Sequence, residues 1–268
     1  MQVETILSAL FAGLVAIGAT LAIEKFGGKI GGVLGSMPTT IIPASIGFWY
    51  GSESVSIFQV AVFAVPTGMM VNAVFLYSWR ILPPRLSPFI LWKRLLAMAL
   101  ISLLIWAGFA YVFVLLIDQF STAIFQLGCV SFALMMTFSV VACWKNPPAP
   151  KGQRKVGLIM ILSRGVLAGL AIGCSVWMAS IGVPVLAGMA SVFPAIFLTT
   201  MVSIWLSQGE AVQAGAVGSM MLGSGSVSVY ALIVGFSIPN YGVLLGSIIA
   251  WLGAVLFVSL PAIYFVRR

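Results

Sequence analysis

The chain is a series of apolar stretches, each about 20 residues long and separated from the next by a few polar residues. A stretch of that length is what a helix needs to cross roughly 30 Å of bilayer hydrocarbon. Of the residues, 62% are hydrophobic and 7% are charged, whereas a soluble domain has about 25% charged residues. We therefore predict an all-α, polytopic membrane helix bundle that forms one integral membrane domain over residues 1–268.

The apolar stretches predict nine membrane-spanning helices. They cover residues 3–23, 30–50, 55–78, 95–117, 121–144, 156–180, 184–206, 211–236 and 241–266. Miscounting by one span at the second or seventh stretch, both rich in Gly and Pro, is the alternative.

The basic residues predict the orientation, because Lys and Arg near span ends stay on the cytoplasmic side. With nine spans all of them except Arg164 fall on one face, in the loops at 25–29, 80–94 and 145–155 and at the C-terminus. The acidic residues Glu4, Glu53 and Asp118 fall on the opposite face. We predict an integral protein of a bacterial plasma (inner) membrane, with the N-terminus outside and the C-terminus cytoplasmic. The first residues lack the basic region of a cleaved signal peptide, so we expect them to be retained.

An internal similarity recurs at an offset of 152 residues. Residues 33–37 (VLGSM) resemble 185–189 (VLAGM), and the same offset pairs Thr67 with Ser219 and Asn72 with Ser224. Since five crossings separate the second span from the seventh, the two copies would have opposite orientations. This predicts inverted repeats in a 4+1+4 arrangement, with halves at about 3–117 and 156–266 and a linking span at 121–144. Chance similarity among common residues is the alternative.

The second and seventh spans are interrupted by Gly and Pro at corresponding positions. Proline lacks an N–H and disrupts helical hydrogen bonds, and the freed backbone groups are tolerated in a membrane only inside protein or beside a watery cavity. Inverted repeats with broken helices are typical of secondary transporters, which bind solute near the midplane. Ordinary proline kinks, satisfied by neighbouring hydroxyls, are an equally open interpretation.

The candidate substrate-binding residues are polar or helix-breaking residues on the broken spans and their neighbours. They are Thr39, Thr40, Pro43, Thr67, Asn72, Arg164, Ser191, Pro194, Ser219, Ser224 and Ser228. Each has a structural alternative. The stripe Gly215, Ser219 and Gly223 is also typical of helix packing, and Asn72 could form an interhelical hydrogen bond. Arg164 either reaches the cytoplasmic headgroups or faces a cavity and attracts an anion.

The composition argues against an enzyme. The chain has no His and only five acidic residues, so it offers no paired carboxylates and no His-containing triad or metal cage. We predict no catalytic residues, metal site, cofactor or nucleic-acid partner. Paired methionines would suit Cu(I) but are also ordinary core residues. Sodium is a candidate coupling ion, since no carboxylate lies in mid-span.

These features favour a secondary transporter or permease for a small solute, with an anionic solute as one candidate, bound at the repeat interface. A passive channel for a small ion or neutral solute is one alternative. A non-transporting membrane scaffold or lipid-handling protein is another. The predicted partners are the lipid bilayer and the solute, and a homo-oligomer stays open.

Overall fold

The computed structural model describes residues 3–26, 37–86, 90–119, 123–144 and 157–267, and these residues are helical throughout except at turns. The helices are α1 (Val3–Phe26), α2 (Ile41–Gly51), α3 (Val55–Ile81), α4 (Leu91–Gln119), α5 (Ile124–Trp144), α6 (Leu158–Ser180), α7 (Pro184–Ser191), α8 (Ala195–Gln208), α9 (Glu210–Ala254) and α10 (Leu260–Arg267). A 3-10 turn covers Pro83–Leu86 and a π-helical turn covers Val255–Ser259. No strand occurs in the described ranges, which confirms the all-α prediction.

Six helical segments of the described chain are long and apolar enough to span a membrane. They are Val55–Ile81, Leu91–Leu116, Ile124–Trp144, Leu158–Ser180, Pro184–Leu206 and Glu210–Val266. These helices are compatible with an integral membrane protein, while the count of nine membrane spans stays a prediction. Two of the nine predicted spans share the last segment, and most of the predicted second span before Met37 lies outside the described residues.

Helix α3 is the centre of the bundle. The most apolar 18-residue stretch of α3 is 78% buried, whereas the corresponding stretch of α4 is 11% buried. Helix α3 packs against α4, α5, α7 and α9, whereas α4 exposes large apolar side chains such as Leu104 and Tyr111. In a bilayer, exposed apolar side chains of this kind face lipid.

Helices α1 and α6 pack closely and antiparallel through glycines. A Cβ atom built on Gly13 would lie 3.0 Å from the carbonyl oxygen of Gly165, and one on Gly169 would lie 2.8 Å from that of Ala9. The contact moves backwards along α1 as it moves forwards along α6, so the two helices run in opposite directions. Small residues permit this approach of two backbones.

The chain reverses within α9 at Gly242, which has the non-helical angles φ 76° and ψ 171°. Beyond it the chain returns along the helix it has just left, since Ser237 Oγ donates to the carbonyl oxygen of Gly246 at 2.8 Å. A Cβ on Gly253 would likewise contact Ile233 at 2.5 Å. Residues 210–241 and 243–267 are therefore two antiparallel helical arms.

Two helices begin directly after a short non-helical stretch, which we call a break. Residues 37–40 are non-helical before α2, and residues 192–194 are non-helical between α7 and α8. Pro194 is the N-cap of α8 and Pro43 is the third residue of α2. Proline is tolerated in a first helical turn because the N–H that it lacks has no partner there. The predicted helix-breaking prolines Pro43 and Pro194 thus lie at the starts of α2 and α8.

Candidate functional site

The two breaks meet at one cavity of about 60 Å³. Its wall is formed by the residues around both breaks together with parts of α3, α6 and α9. They are Met37, Thr39, Thr40, Ile41, Met69, Asn72, Ala168, Ala171, Ile172, Ser191, Val192, Phe193, Ala195, Ile196, Phe197 and Val227. The set contains Thr39, Thr40, Asn72 and Ser191 from the predicted binding residues.

The backbone carbonyl groups at the break between α7 and α8 are occupied by donors of the protein. Ser191 Oγ donates to Gly188 O at 2.7 Å, and Asn72 Nδ2 donates to Val192 O at 2.6 Å. Backbone N–H groups donate hydrogen bonds to the carbonyl oxygens of Met189, Ala190, Phe193 and Pro194, at 2.7–3.4 Å. The acceptors at this break are therefore largely satisfied without a ligand.

The N–H donors at the same cavity are not satisfied in this way. The amide groups of Ile41, at the start of α2, and of Ile196 and Phe197, at the start of α8, form no hydrogen bond within the described part of the chain. The first N–H groups of a helix have no partner inside it, and neither Thr40 nor Pro194 caps its helix with a side chain. Each N-terminus also carries about half a positive charge from the helix dipole. The cavity thus offers donors and positive potential from two helices.

Asn72 is the one buried amide at the wall. Its side chain is 0% exposed. Nδ2 donates to Val192 O and approaches Met69 Sδ at 3.5 Å, while Oδ1 has no hydrogen-bond partner among the described residues. Because Val192 O is only an acceptor, the amide orientation is fixed with nitrogen toward the break. Asn72, a residue of the cavity lining, therefore carries a buried acceptor that has no partner among the described residues.

Three of the other predicted binding residues make hydrogen bonds away from the cavity lining. Thr67 Oγ1 and Ser131 Oγ are 3.0 Å apart and join α3 to α5. The hydroxyls of Ser219 and Ser224 donate to carbonyls of their own helix, Ala216 O and Met221 O, at 2.9 and 2.7 Å. Serine hydroxyls often make this bond in a helix, so the dense serine pattern of α9 does not by itself mark a solute contact.

Ser228, Pro43, Pro194 and Arg164 also fall outside the lining. The two prolines stand at the starts of α2 and α8, and Ser228 is buried in α9, where its Oγ has no partner within the described residues. Arg164 is 5% exposed and lies one helical turn before Ala168 on the same face of α6. Its burial is more typical of an internal position than of a side chain extended to the headgroups.

Most lining residues missed by sequence reasoning are apolar. Ile172, Met69 and Phe197 shape the cavity, and Phe193 is held by an edge-on contact with Trp106 of α4 at 5.1 Å between ring centroids. In a chain of this composition an apolar residue cannot be predicted as part of a cavity lining from its type alone. Proximity in sequence to the breaks could have predicted residues 192–197.

A second cavity, of about 270 Å³, lies between α3, α4 and α5, and the described residues that line it are all apolar, including Val74, Phe113 and Leu134. Solute sites generally combine an apolar wall with a few polar groups that fix orientation. The cavity at the two breaks has both, and the larger one has no polar lining side chain.

The described residues offer few groups that could bind a metal or take part in redox chemistry. Within the described ranges no three His, Cys, Asp or Glu side chains lie together as a metal site would require. Cys129, Cys143 and Cys174 form no disulfide.

A scan of family models found no match to this chain, and searches of curated proteins and of solved structures found none either.

Proposed function

We propose that the protein is a secondary transporter that binds a small anion in the cavity where α2 and α8 begin. The observation that carries the proposal is the convergence of two helix N-termini, whose first N–H groups have no partner among the described residues, on one cavity. The N-terminus of a helix attracts an anion because its free N–H groups and its dipole both favour negative charge. In transporters with broken membrane helices, such N-termini near mid-membrane point at anionic groups of the substrate.

The inverted-repeat interpretation supports alternating access. Three pairs of lining residues are 152 positions apart, namely Thr39 and Ser191, Thr40 and Val192, and Ile41 and Phe193. Gly13 and Gly165, which meet between α1 and α6, are separated by the same interval. A rotation that exchanges the two halves would therefore carry each residue of these pairs onto the other. Two such halves can exchange conformations and open a shared site to either side.

The directions of packed helices also agree with nine passes. The contacts of Gln59 with Gly235 and of Arg80 with Ala214 run antiparallel between α3 and α9, as passes three and eight would. Those of Thr67 with Ser131 and of Arg80 with Ala142 run parallel between α3 and α5, as passes three and five would. The α1–α6 pair is antiparallel, as an odd separation requires.

The charge of the lining favours an anion over a cation. Among the described residues the lining contains no carboxylate, so a cation would lose its hydration without an opposite charge to compensate. An anion would meet the positive ends of two helix dipoles, each worth about 0.3–1 kcal/mol in a typical setting. The described lining residues include no basic side chain either, which favours a monovalent anion over one of higher charge.

The test is the accessibility of a single cysteine at the cavity. Cys129, Cys143 and Cys174 are replaced by Ser, and Ser191→Cys is then treated in proteoliposomes with a membrane-impermeant thiosulfonate from either side. A transporter predicts modification from both sides, with rates that change in opposite directions when a transported anion is added on one side. Thr137→Cys, on the exposed face of α5, is the matched control and should react from neither side.

The two alternatives give different results in the same assay. A passive channel predicts simultaneous access from both sides with no reciprocal change in rates, together with flux that does not saturate. A packed scaffold predicts no reaction at Ser191→Cys from either side, which would overturn the proposal. The apolar cavity between α3 and α5 favours lipid handling as the second candidate, because an acyl chain needs no polar partners.

A further inference from the structure

We propose that the end of α8 is a gate that closes the cavity to the cytoplasm, held shut by the ion pair between Arg94 and Glu210. This inference rests on the proposed function, since only a site that opens needs a gate. Helix α8 begins at the cavity, where Ile196 and Phe197 are part of the lining. It ends beside the basic turn between α3 and α4, which nine passes put on the cytoplasmic side.

One face of α8 leads from the cavity to that end. Phe197, Met201 and Trp205 follow one another at intervals of four residues and therefore share a face, and they are 7%, 0% and 4% exposed. At a rise of 1.5 Å per residue, Met201 lies about 6 Å and Trp205 about 12 Å beyond Phe197 along the helix. Met201 and Trp205 thus lie between the cavity lining and the cytoplasmic end of the bundle.

Residues of α3 and α9 pack against this face of α8. Met201 Sδ accepts a hydrogen bond from Gln213 Nε2 at 3.1 Å, and the same nitrogen donates to Trp79 O at 3.1 Å. The rings of Trp79 and Trp205 meet edge-on, with 6.0 Å between their centroids. Side chains from three helices are therefore packed together, and a solute that passed on this side would have to separate them.

Arg94 of α4 covers this packing on the side away from the cavity. Its guanidinium group lies over the Trp205 ring, 5.3 Å from the centroid, and Nη2 donates to Glu210 Oε2 at 2.5 Å and to Pro83 O at 3.1 Å. The side chains of Arg94 and Glu210 are partly exposed, whereas Trp205 is buried. The ion pair is thus the last layer before solvent.

Glu210 is joined to α8 through a single residue. Gly209 separates α8 from α9 and has φ 92° and ψ 169°, angles that only glycine adopts readily. Because α8 is one continuous helix of 14 residues, a displacement of its start at the cavity also moves Trp205 near its end. Anion binding at the start of α8 and separation of Glu210 from Arg94 would thus be parts of one movement.

The repeat supplies no second copy of this ion pair at the opposite end of the bundle. At the interval of 152 residues, Glu210 corresponds to Phe58 and Arg94 corresponds to Gly246. Phe58 instead contacts Trp49 edge-on, with 5.2 Å between the ring centroids. The ion pair therefore stabilises closure at the cytoplasmic end, and its loss should shift the population toward the state that is open to the cytoplasm.

The experiment measures how fast a membrane-impermeant thiosulfonate modifies Ser191→Cys from the cytoplasmic side. The full chain, with its other cysteines replaced by Ser, is reconstituted in proteoliposomes of known orientation. We expect Glu210→Gln to raise this rate about two- to five-fold, the range for loss of a partly exposed ion pair. Arg94→Met should raise the rate further, because Arg94 also contacts Pro83 and Trp205.

Lys93→Met is the matched control for Arg94→Met. Lys93 carries the same charge on the preceding residue, but it is exposed and makes no hydrogen bond or ion pair with the described residues. Its substitution should leave the rate unchanged. Glu210→Gln and Arg94→Met change the net charge in opposite directions, so a rise in both rates cannot come from attraction or repulsion of a charged reagent.

Salt provides a second measurement that requires no gate variant to fold. Raising the ionic strength toward 1 M shortens the Debye length to about 3 Å, which weakens the attraction between Arg94 and Glu210. The cytoplasmic modification rate of Ser191→Cys with the native ion pair should then approach the rate measured with Glu210→Gln, so that the ratio of the two rates falls toward one.

Each outcome bears on the gate. Faster cytoplasmic modification in Glu210→Gln and Arg94→Met, but not in Lys93→Met, supports it. A rate that is unchanged or lower in Glu210→Gln overturns it, as does an equal rise in Lys93→Met. The proposed function is judged by another comparison, namely whether an added anion changes the two rates of Ser191→Cys in opposite directions, so the failure of one proposal is distinguishable from the failure of the other.

Discussion

Gly13 of α1 and Gly165 of α6 face each other reciprocally, so that a Cβ atom on either would lie 3.0–3.1 Å from the carbonyl oxygen of the other. A reciprocal contact is what two equivalent surfaces form when they meet on a two-fold axis. The glycines are 152 residues apart, the interval at which residues around the two breaks also correspond. The contact therefore marks where the axis of the proposed inverted repeat would cross this pair of helices.

A leucine at Gly13 should force the two helices apart. We expect Gly13→Leu to lower the free energy of unfolding by about 1–3 kcal/mol, the usual cost of overpacking. Thermal unfolding in detergent, followed by tryptophan fluorescence, measures the change. Gly18→Leu is the control on the same helix, because a Cβ at Gly18 meets nothing within 4 Å. Equal effects of the two substitutions would contradict the close contact.

Gly242 should resist substitution for a different reason. A Cβ there has no atom within 4 Å, yet φ is +76° and ψ is extended, a region that only glycine adopts readily. We expect Gly242→Ala to lose about 1–3 kcal/mol of stability from backbone strain alone. Gly108→Ala, also without neighbours but inside α4, should instead be neutral or gain up to about 1 kcal/mol. The same unfolding assay distinguishes them, and an unaffected Gly242→Ala would argue against the reversal.

Most helix boundaries could be predicted from the sequence because the bilayer sets both length and polarity. The predicted span 55–78 corresponds to α3 at Val55–Ile81, and 156–180 corresponds to α6 at Leu158–Ser180. The predicted spans 211–236 and 241–266 instead fall within one nearly continuous helical segment. Pro239 and Asn240 remain helical there, and the turn depends on one positive φ, which hydropathy does not register.

The site could be predicted only where chain-breaking residues mark it. Thr39, Thr40 and Ser191 could be predicted because they lie at the breaks. Asn72 could be predicted because an amide inside a membrane span needs hydrogen-bond partners. The repeat pairs Ser224 with Asn72, but the hydroxyl of Ser224 donates to Met221 O of its own helix. The length of a side chain and its local hydrogen bonds decide which of the residues paired by the repeat face the cavity. The repeat interval of 152 residues contains no information on either.

The orientation can be tested with cysteines at exposed turn positions. We expect a membrane-impermeant maleimide to label Glu53→Cys and Asn240→Cys in intact cells, because nine passes put both residues outside. Arg85→Cys should be labelled only after permeabilisation, since its turn carries basic residues that stay cytoplasmic. All three residues are exposed, so accessibility to solvent is matched. Labelling of Glu53→Cys and Arg85→Cys from the same side would exclude a single membrane pass through α3.

The ion pair between Arg94 of α4 and Glu210 of α9 should couple the two helices modestly. The side chains are 17% and 34% exposed, so we expect a coupling free energy of only about 0.5–1 kcal/mol in a double-mutant cycle of Arg94→Met and Glu210→Gln. Arg94→Met alone should cost more than Glu210→Gln alone. Arg94 also donates to Pro83 O at 3.1 Å and stacks over the Trp205 ring at 5.3 Å.

The salt dependence of that cycle separates the charge from the packing. Raising the ionic strength toward 1 M shortens the Debye length to about 3 Å, so the coupling between Arg94 and Glu210 should shrink. The contacts of Arg94 with Pro83 and Trp205 are local and should keep most of the single-variant penalty. A coupling that is absent at low salt, or equally strong at high salt, would mean that the ion pair does not hold α4 against the start of α9.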